Sequence, residues 1–326
     1  MAEKYKIVYI IRKGEKNTRY LVQNEKGCFY SFVFNNIYQI NDIIEDNNIK
    51  IENAQNQWIE QYKNQYPREQ MMEHLIQYKK NILNNSEKGV YRGRHYDHIF
   101  TNPEQNLLLG FGFDEILKNQ IKIKEIRSDF THLTSSQAFA INFITPLITE
   151  KKLNYLDKCF ANIDYDKCEF EKVLCEEKTQ FDFFAQGLTG HSSCSIEVKY
   201  SENKFGEEDT DQAHIEKYNN TYKKYLNELT DKNIDEKYFL EYYQIWRNII
   251  YTIMNKGQHI CFFIPAFRMD LKRQIEYIVN LCKDNIKPFV HIIIADDIAD
   301  FIISNDKKLR PYYEELKNKY LNFSVK

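Results

Sequence analysis

Glycine and proline are scarce in this chain, ten and six among 326 residues. Collagen-like and Pro/Gly-rich linker compositions are therefore excluded, and few positions are left to mark turns. No two of the seven cysteines stand in CxxC spacing, so the sequence indicates neither a zinc site nor a disulfide framework. No apolar run approaches a membrane span, and Met1 to Arg12 carries no cleavage-like small-residue site, so a cytoplasmic protein without a membrane partner is expected. Neither GxxxxGK[ST] nor GxGxxG occurs, so no nucleotide cofactor is expected. No nucleophile-elbow motif supports a Ser/His/Asp triad. Charge of one sign is lacking too: 45 basic against 47 acidic residues give a net charge of −2. That argues against a broad electrostatic binder of nucleic acid, but not against an enzyme with a local basic groove.

What the chain does have is 43% apolar and 28% charged residues, a globular composition long enough to bury a core without staples. Residues 4–40 read as short strands: Tyr5 to Ile11, Arg19 to Val22 and Cys28 to Val33. A Gln- and Tyr-rich helical stretch runs from about Ala54 to Leu83, interrupted near Pro67. The turn-prone Ser86-Glu87-Lys88-Gly89 sets a soft boundary. Beyond it, Ser135 or Ser136 can cap a helix running toward Pro146. Strands follow at Cys168–Cys175, Phe181–Gln186 and Cys194–Tyr200, the last two joined through Gly187-Leu188-Thr189-Gly190. A polar helical region spans about Thr210 to Leu229. Phe239, Tyr243, Trp246 and Ile250 then mark one amphipathic helix. Strand His259–Ile264, helix Leu271–Cys282 and strand Phe289–Ala295 complete a mixed α/β pattern.

The chemistry concentrates in Cys194-Ser195-Ile196-Glu197-Val198-Lys199-Tyr200. Period-two alternation puts Ser195, Glu197 and Lys199 on one face of a strand otherwise suited to burial. In the preceding strand Asp182 stands among Phe181, Phe183 and Phe184, where a carboxylate is costly unless something pairs with it. Mg²⁺ is a good candidate, since it binds through one or two carboxylates plus waters and a phosphate. Asp182 and Glu197 would hold the ion, with the Val198 main-chain carbonyl in reach. Lys199 would stabilise transition-state charge or orient water. Glu177 would add a second metal if it turns into the same site. Glu-x-Lys alone carries little weight, since it recurs at Glu150, Glu176, Glu202 and Glu315. Only Glu197 lies in an alternating apolar strand with an Asp-bearing strand before it, and an exposed Glu/Lys pair is the competing structural reading.

The run Glu177 to Phe184, then Ile196-Glu197-Val198-Lys199-Tyr200-Ser201-Glu202 and Phe205-Gly206, resembles the PD-(D/E)XK nuclease superfamily, in particular a bacterial restriction-endonuclease-like branch. Ser135 to Phe143 and Tyr243 to Asn248 are similar to two helices of that branch. The likeness covers about residues 86–300. It implies a restriction-endonuclease-like αβββαβ core in residues 86–326; residues 1–85, which the likeness does not reach, read from their strands and helix as an N-terminal β-rich and helical extension. It also implies catalytic roles for Asp182, Glu197 and Lys199, Mg²⁺ dependence with Mn²⁺ able to substitute, and DNA as the partner. Two departures stand out: Phe181 where proline is common, and Gln137 and Asn142 where the first helix would offer Glu. The expected function is a DNA endonuclease of restriction or anti-phage defence, as a homodimer if it cuts palindromes. A repair or branched-DNA nuclease and a non-catalytic nucleic-acid-binding protein are the alternatives.

Further candidates for DNA contact are Gln137, Gln244, Arg247, Arg92 and Arg94. Gln244, Arg247 and Asn248 share a helix face, which serves equally as a polar stripe at the site or as a buried network. Lys118, Lys122, Lys124 and Arg127, with Ile121 and Ile123 alternating, read as a basic strand face. Asp97-His98-Ile99 superficially imitates an HNH opening, but the next histidine, His132, lies too far along the chain for a compact ββα unit. His191, in the turn between the two site strands, reads as exposed.

Overall fold

Residues 4–13, 17–24, 29–35, 43–45, 52–55, 68–123, 126–174, 179–202, 204–206, 208, 211–255 and 257–323 are described by a computed structural model. They divide into two compact units, Met1–Tyr66 and Pro67–Lys326, so the division by packing comes earlier in the chain than the turn at Ser86–Gly89. In the first unit β1 (Lys4–Lys13), β2 (Asn17–Asn24), β3 (Phe29–Asn35), β4 (Ile43–Glu45) and β5 (Glu52–Asn53) form an antiparallel sheet ordered β4-β1-β2-β3-β5. Alternation sends Tyr5, Ile7, Tyr20, Val22 and Phe32 into one small core with Ile44. The helical stretch expected from Ala54 is not helical at Ala54 and Gln55; residues 56–67 lie outside the described residues, and α1 (Arg68–Gln77) follows them.

The second unit is a mixed α/β fold. After α1 come a hairpin, β6 (Gly89–Tyr91) and β7 (Arg94–Tyr96), then α2 (Asp114–Ile123) and α3 (Ser136–Thr149). Strands β8 (Ile163–Leu174), β9 (Thr179–Gly187) and β10 (Cys194–Val198) are antiparallel neighbours. Four helices follow: α4 (Gln212–Lys217), α5 (Lys223–Leu229), α6 (Glu236–Glu241) and α7 (Tyr243–Met254). They lead to β11 (His259–Ile264), then α8 (Met269–Leu281) and β12 (Val290–Ile294). β10, β11 and β12 run parallel, which the helical crossovers permit, and the sheet order is β12-β11-β10-β9-β8. Helices α9 (Ala295–Asn305) and α10 (Arg310–Tyr320) close the unit. On one face of the sheet Phe139 and Phe143 of α3 pack on Phe263. On the other, Ile260, Phe262 and Ile264 share a core with Trp246 and Ile250 of α7 and Leu271 of α8.

Four segments depart from the sequence expectations. The basic stretch from Lys118 is helical rather than a strand as far as Ile123, because Phe113, Leu117 and Ile121 bury a period-four stripe; Lys124 lies outside the described residues. Helix α3 continues past Pro146 to Thr149. Proline has no N–H to give the Asn142 carbonyl, and the Tyr312 hydroxyl donates to that oxygen instead at 2.7 Å. The stripe Phe239–Ile250 is split between α6 and α7. Glu208 N–H donates to the Leu240 carbonyl and Gln244 N–H to the Gly206 carbonyl, each at 3.1 Å, so the backbone groups of Gly206 and Glu208 stand in the helical ladder. Finally, α9 and α10 lie beyond the last expected strand. Tyr312, Tyr313, Leu316 and Tyr320 of α10 are buried, and tyrosine obscures such a stripe because it reads as polar as readily as apolar.

Candidate active site

The β9–β10 ladder ends at the pair Phe183↔Ile196. One residue further, the Val198 N–H donates to Asp182 Oδ2 at 2.7 Å, so a carboxylate takes the place of a ladder carbonyl. Asp182 Oδ1 faces Arg127 Nη2 at 3.3 Å, and the same nitrogen lies 3.1 Å from Glu171 Oε2. Glu171, on β8, holds a left-handed backbone with φ 50°, which costs about 1–2 kcal/mol for a residue with a Cβ. Its side chain is fixed by Gln137 Nε2 at 2.9 Å and Gln180 Nε2 at 2.8 Å. Gln137 is itself fixed: its Oε1 accepts the Arg127 N–H at 3.1 Å. Strain held by this many partners is a recurring mark of functional positions.

Across the ladder, Glu197 stands opposite Phe262 on the α7 face. Its Oε1 accepts from Lys199 Nζ at 3.0 Å and from the Gln244 amide, and its Oε2 accepts from Asn248 Nδ2 at 3.2 Å. Gln244 is held in turn by the Gly206 N–H, which donates to its Oε1 at 2.8 Å. The chain after Lys199 is clamped as well. Glu202 accepts from the N–H groups of Tyr200 and Ser201 and from the Ser136 hydroxyl at the head of α3. The fully buried Arg268 donates to the Tyr200 and Glu202 carbonyls while pairing with Asp270.

Charges set the character of this cavity. Asp182, Glu197 and Lys199 are all more than nine-tenths buried. Burial first, then the charges of Glu197 and Glu171, push the Asp182 carboxyl well above the usual carboxylate range despite Lys199 and Arg127. Burial also raises Glu171, with Arg127 opposing. Burial would lower Lys199, but Glu197, Glu202 and Asp182 outweigh it and hold its affinity for a proton above that of a free lysine. Three carboxylates thus meet two cations, Arg127 and Lys199, one of them half exposed. The donor set is all oxygen and short of positive charge, which fits a hard divalent cation. Among the described residues no three of its carboxylates bring one oxygen each within 4.8 Å of one another; Arg127 meets both Glu171 and Asp182.

The candidate residues therefore separate. Asp182, Glu197, Lys199 and the Val198 backbone come together, and Gln137 and Gln244 join them by giving their amide nitrogens to carboxylates. Arg247 lies beside this set, its Nε and Nη2 3.3 and 3.2 Å from Asn248 Oδ1 and its guanidinium 5.5 Å from the Tyr243 ring centre. Arg92 and Arg94 are exposed on the β6–β7 hairpin, and no hydrogen bond or ion pair among the described residues ties them to the carboxylates. Glu177 falls outside the described residues. His191 is exposed in the turn after β9. Asp97 is spent on Lys80 and Lys88 at 3.1 and 3.2 Å, although the His98 and His132 rings do meet, 5.8 Å apart. Asn142 belongs to a separate buried network with Asn106 and Tyr320.

Glu171 was not expected as a site residue, whereas Asn248 was weighed with Gln244 and Arg247 as a polar stripe at the site or a buried network, and its amide does reach Glu197. Asn248 carried a readable signal, four residues after Gln244 on one helix face. Glu171 carried none, since neither its backbone conformation nor its meeting with Arg127 is written in local spacing.

The family described as Restriction Endonuclease associating with ARP matches residues 52–321 of the chain. No curated protein and no solved structure matches it. Among the described residues no helix is long and apolar enough to cross a membrane.

Proposed function

We propose that this chain, which belongs to the family of restriction endonucleases associating with ARP, hydrolyses DNA phosphodiester bonds with Mg²⁺, or Mn²⁺ in its place, held by Asp182, Glu197 and the Val198 carbonyl. The observation that carries this reading is the buried Asp182, whose carboxyl is pushed well above the usual carboxylate range by burial and by Glu197 despite Lys199 and Arg127. With Oδ2 given to the Val198 N–H, Oδ1 is the oxygen left for a cation, and Arg127 now faces it. Arg127 is half exposed and therefore able to turn from Asp182 toward a phosphate. The bound ion would supply Lewis acidity at the phosphate and an acidified water.

Lys199 keeps its proton at neutral pH, so it acts as a fixed positive charge for the developing phosphate charge and not as a general base. Gln244 shares Glu197 Oε1 with Lys199 and Asn248 holds Oε2, which keeps the carboxylate oriented. The order of helix α3, strands β8 to β10, crossover helices and β11 supports the PD-(D/E)XK resemblance. A restriction role is favoured by the family description; duplex, nicked and branched substrates compared side by side separate it from repair. A two-fold dimer, measured by sedimentation, is expected if the cleavage sites are palindromic.

Supercoiled plasmid with Mg²⁺ tests the reading directly. Asp182→Ala, Glu197→Ala and Lys199→Ala should each slow nicking by at least about 100-fold while retaining DNA binding in a gel shift. Chelation should stop the parent protein. Equal nicking by parent and Asp182→Ala would refute the site assignment, and DNA binding without cleavage of any substrate would leave a non-catalytic binding protein.

A further inference from the structure

A second group of ligand-type side chains lies on the other face of the same sheet. Cys194 is in register with His259 across β10–β11, and Cys261 with His291 across β11–β12. These four positions alternate with Glu197 and Phe262 and share the face of Phe263, which α3 covers. Above them a 3₁₀ turn, Lys158–Phe160, brings in Cys159. It is fixed there by Asp157, whose carboxylate accepts the Cys159 N–H at 2.9 Å, and by the Cys194 thiol on the Cys159 carbonyl at 3.2 Å.

The donor atoms of Cys159, His259 and His291 all lie within 4.8 Å of one another. His259 Nδ1 and His291 Nε2 face each other at 2.8 Å, and His291 Nδ1 is 3.3 Å from Asp157 Oδ1. A carboxylate on the far nitrogen of a histidine fixes its tautomer and aims the other nitrogen at an ion. A tetrahedral zinc shell, with Zn–S about 2.3 Å and Zn–N about 2.0 Å, sets its donors roughly 3.3–3.8 Å apart. To reach that size the two ring nitrogens move apart from 2.8 Å, with the ion replacing the proton shared by the two rings. Cys261 Sγ lies 3.7 Å from Cys159 Sγ and adds a further soft donor beside the group.

We propose that Cys159, His259 and His291, oriented by Asp157, bind a soft transition-metal ion, Zn²⁺ by donor type, at a structural site separate from the carboxylate cavity. One thiolate and two imidazoles select zinc over magnesium. The ion would tie the 3₁₀ turn to strand β11 and the edge strand β12, adding binding energy to folding. This inference does not rest on the nuclease reading.

The test is elemental analysis of the full chain, followed by replacement of the ion with Co²⁺. One zinc per chain and a thiolate-to-cobalt charge-transfer band with tetrahedral visible bands are expected. Asp182→Ala should keep those bands, whereas Cys159→Ser and His291→Ala should lose them. Asp157→Asn, the gentler change, should weaken cobalt affinity about 10- to 100-fold in a chelator competition. Zinc should also raise the melting temperature of the parent protein, a readout that does not depend on any variant folding. Absence of stoichiometric zinc together with no cobalt uptake by the reduced parent protein would overturn the proposal. So would a Cys159–Cys261 disulfide found by mass spectrometry in a protein that, once reduced, takes up no metal.

Discussion

At Asp182 stability and the proposed chemistry pull in opposite directions. In the folded, metal-free protein its carboxyl keeps a proton that the unfolded chain gives up, because burial and Glu197 raise its affinity. The folded state therefore binds more protons above the usual carboxylate range, and its stability falls as pH rises through that window. Asp182→Asn should remove this slope, stabilise the metal-free protein at neutral pH by about 1–2 kcal/mol, and abolish cleavage; melts across pH with and without Mg²⁺ read all three. A melting temperature lower than the parent's in the metal-free state would contradict it. At this scale the sequence was informative where chemistry is local: alternation alone set Glu197 and Lys199 side by side, and three phenylalanines marked Asp182 as buried. It was silent where partners converge from afar. Arg127 and Glu171 are forty-four positions apart, and Cys159, His259 and His291 lie on three separate elements, so a search for CxxC spacing had nothing to find.

Among the elements, α3 shows how a rule broken locally is repaired from a distance. Its N-cap was legible: the Ser135 hydroxyl accepts from the Ala138 N–H at 3.3 Å. Its C-terminus was not, because the missing Pro146 hydrogen bond is made good by Tyr312, a residue that no window around Pro146 contains. Tyr312→Phe should cost about 1–3 kcal/mol by leaving the buried Asn142 carbonyl one partner short. Pro146→Ala restores a backbone donor there, so the same Tyr312→Phe change should cost less in that background. Urea melts of the four proteins form the cycle, and equal costs in both backgrounds would show the two donors to be independent. The split of α6 from α7 has a similar origin. Every apolar position of the stripe was read correctly, yet Gly206 and Glu208, whose backbone groups divide it, belong to another part of the chain.

For the molecule as a whole, the mixed α/β pattern and the strand sequence were legible, while the closing layer was not. Helix α10 buries Lys319 completely, its Nζ donating to the Asn106 carbonyl and side-chain oxygen at 2.8 and 3.0 Å. Burial brings its pKa down to about 7, with Glu315 only partly offsetting. Here the unfolded chain binds the extra proton, so stability should rise with pH above 7, by about 2 kcal/mol between pH 7 and pH 9. Lys319→Met should flatten that rise in urea melts at the two pH values; an unchanged slope would assign it to other groups. Residues 310–320 also grip α3 through Tyr312 and Tyr313, whose hydroxyls donate to the Asn142 and Phe143 carbonyls, and α3 supplies Gln137 and Ser136 to the carboxylate cavity. During translation, therefore, α3 would lack both of these hydrogen bonds until this late segment has left the ribosome. The helix that carries Gln137 and Ser136 would thus gain its last supports only as synthesis of residues 310–320 ends.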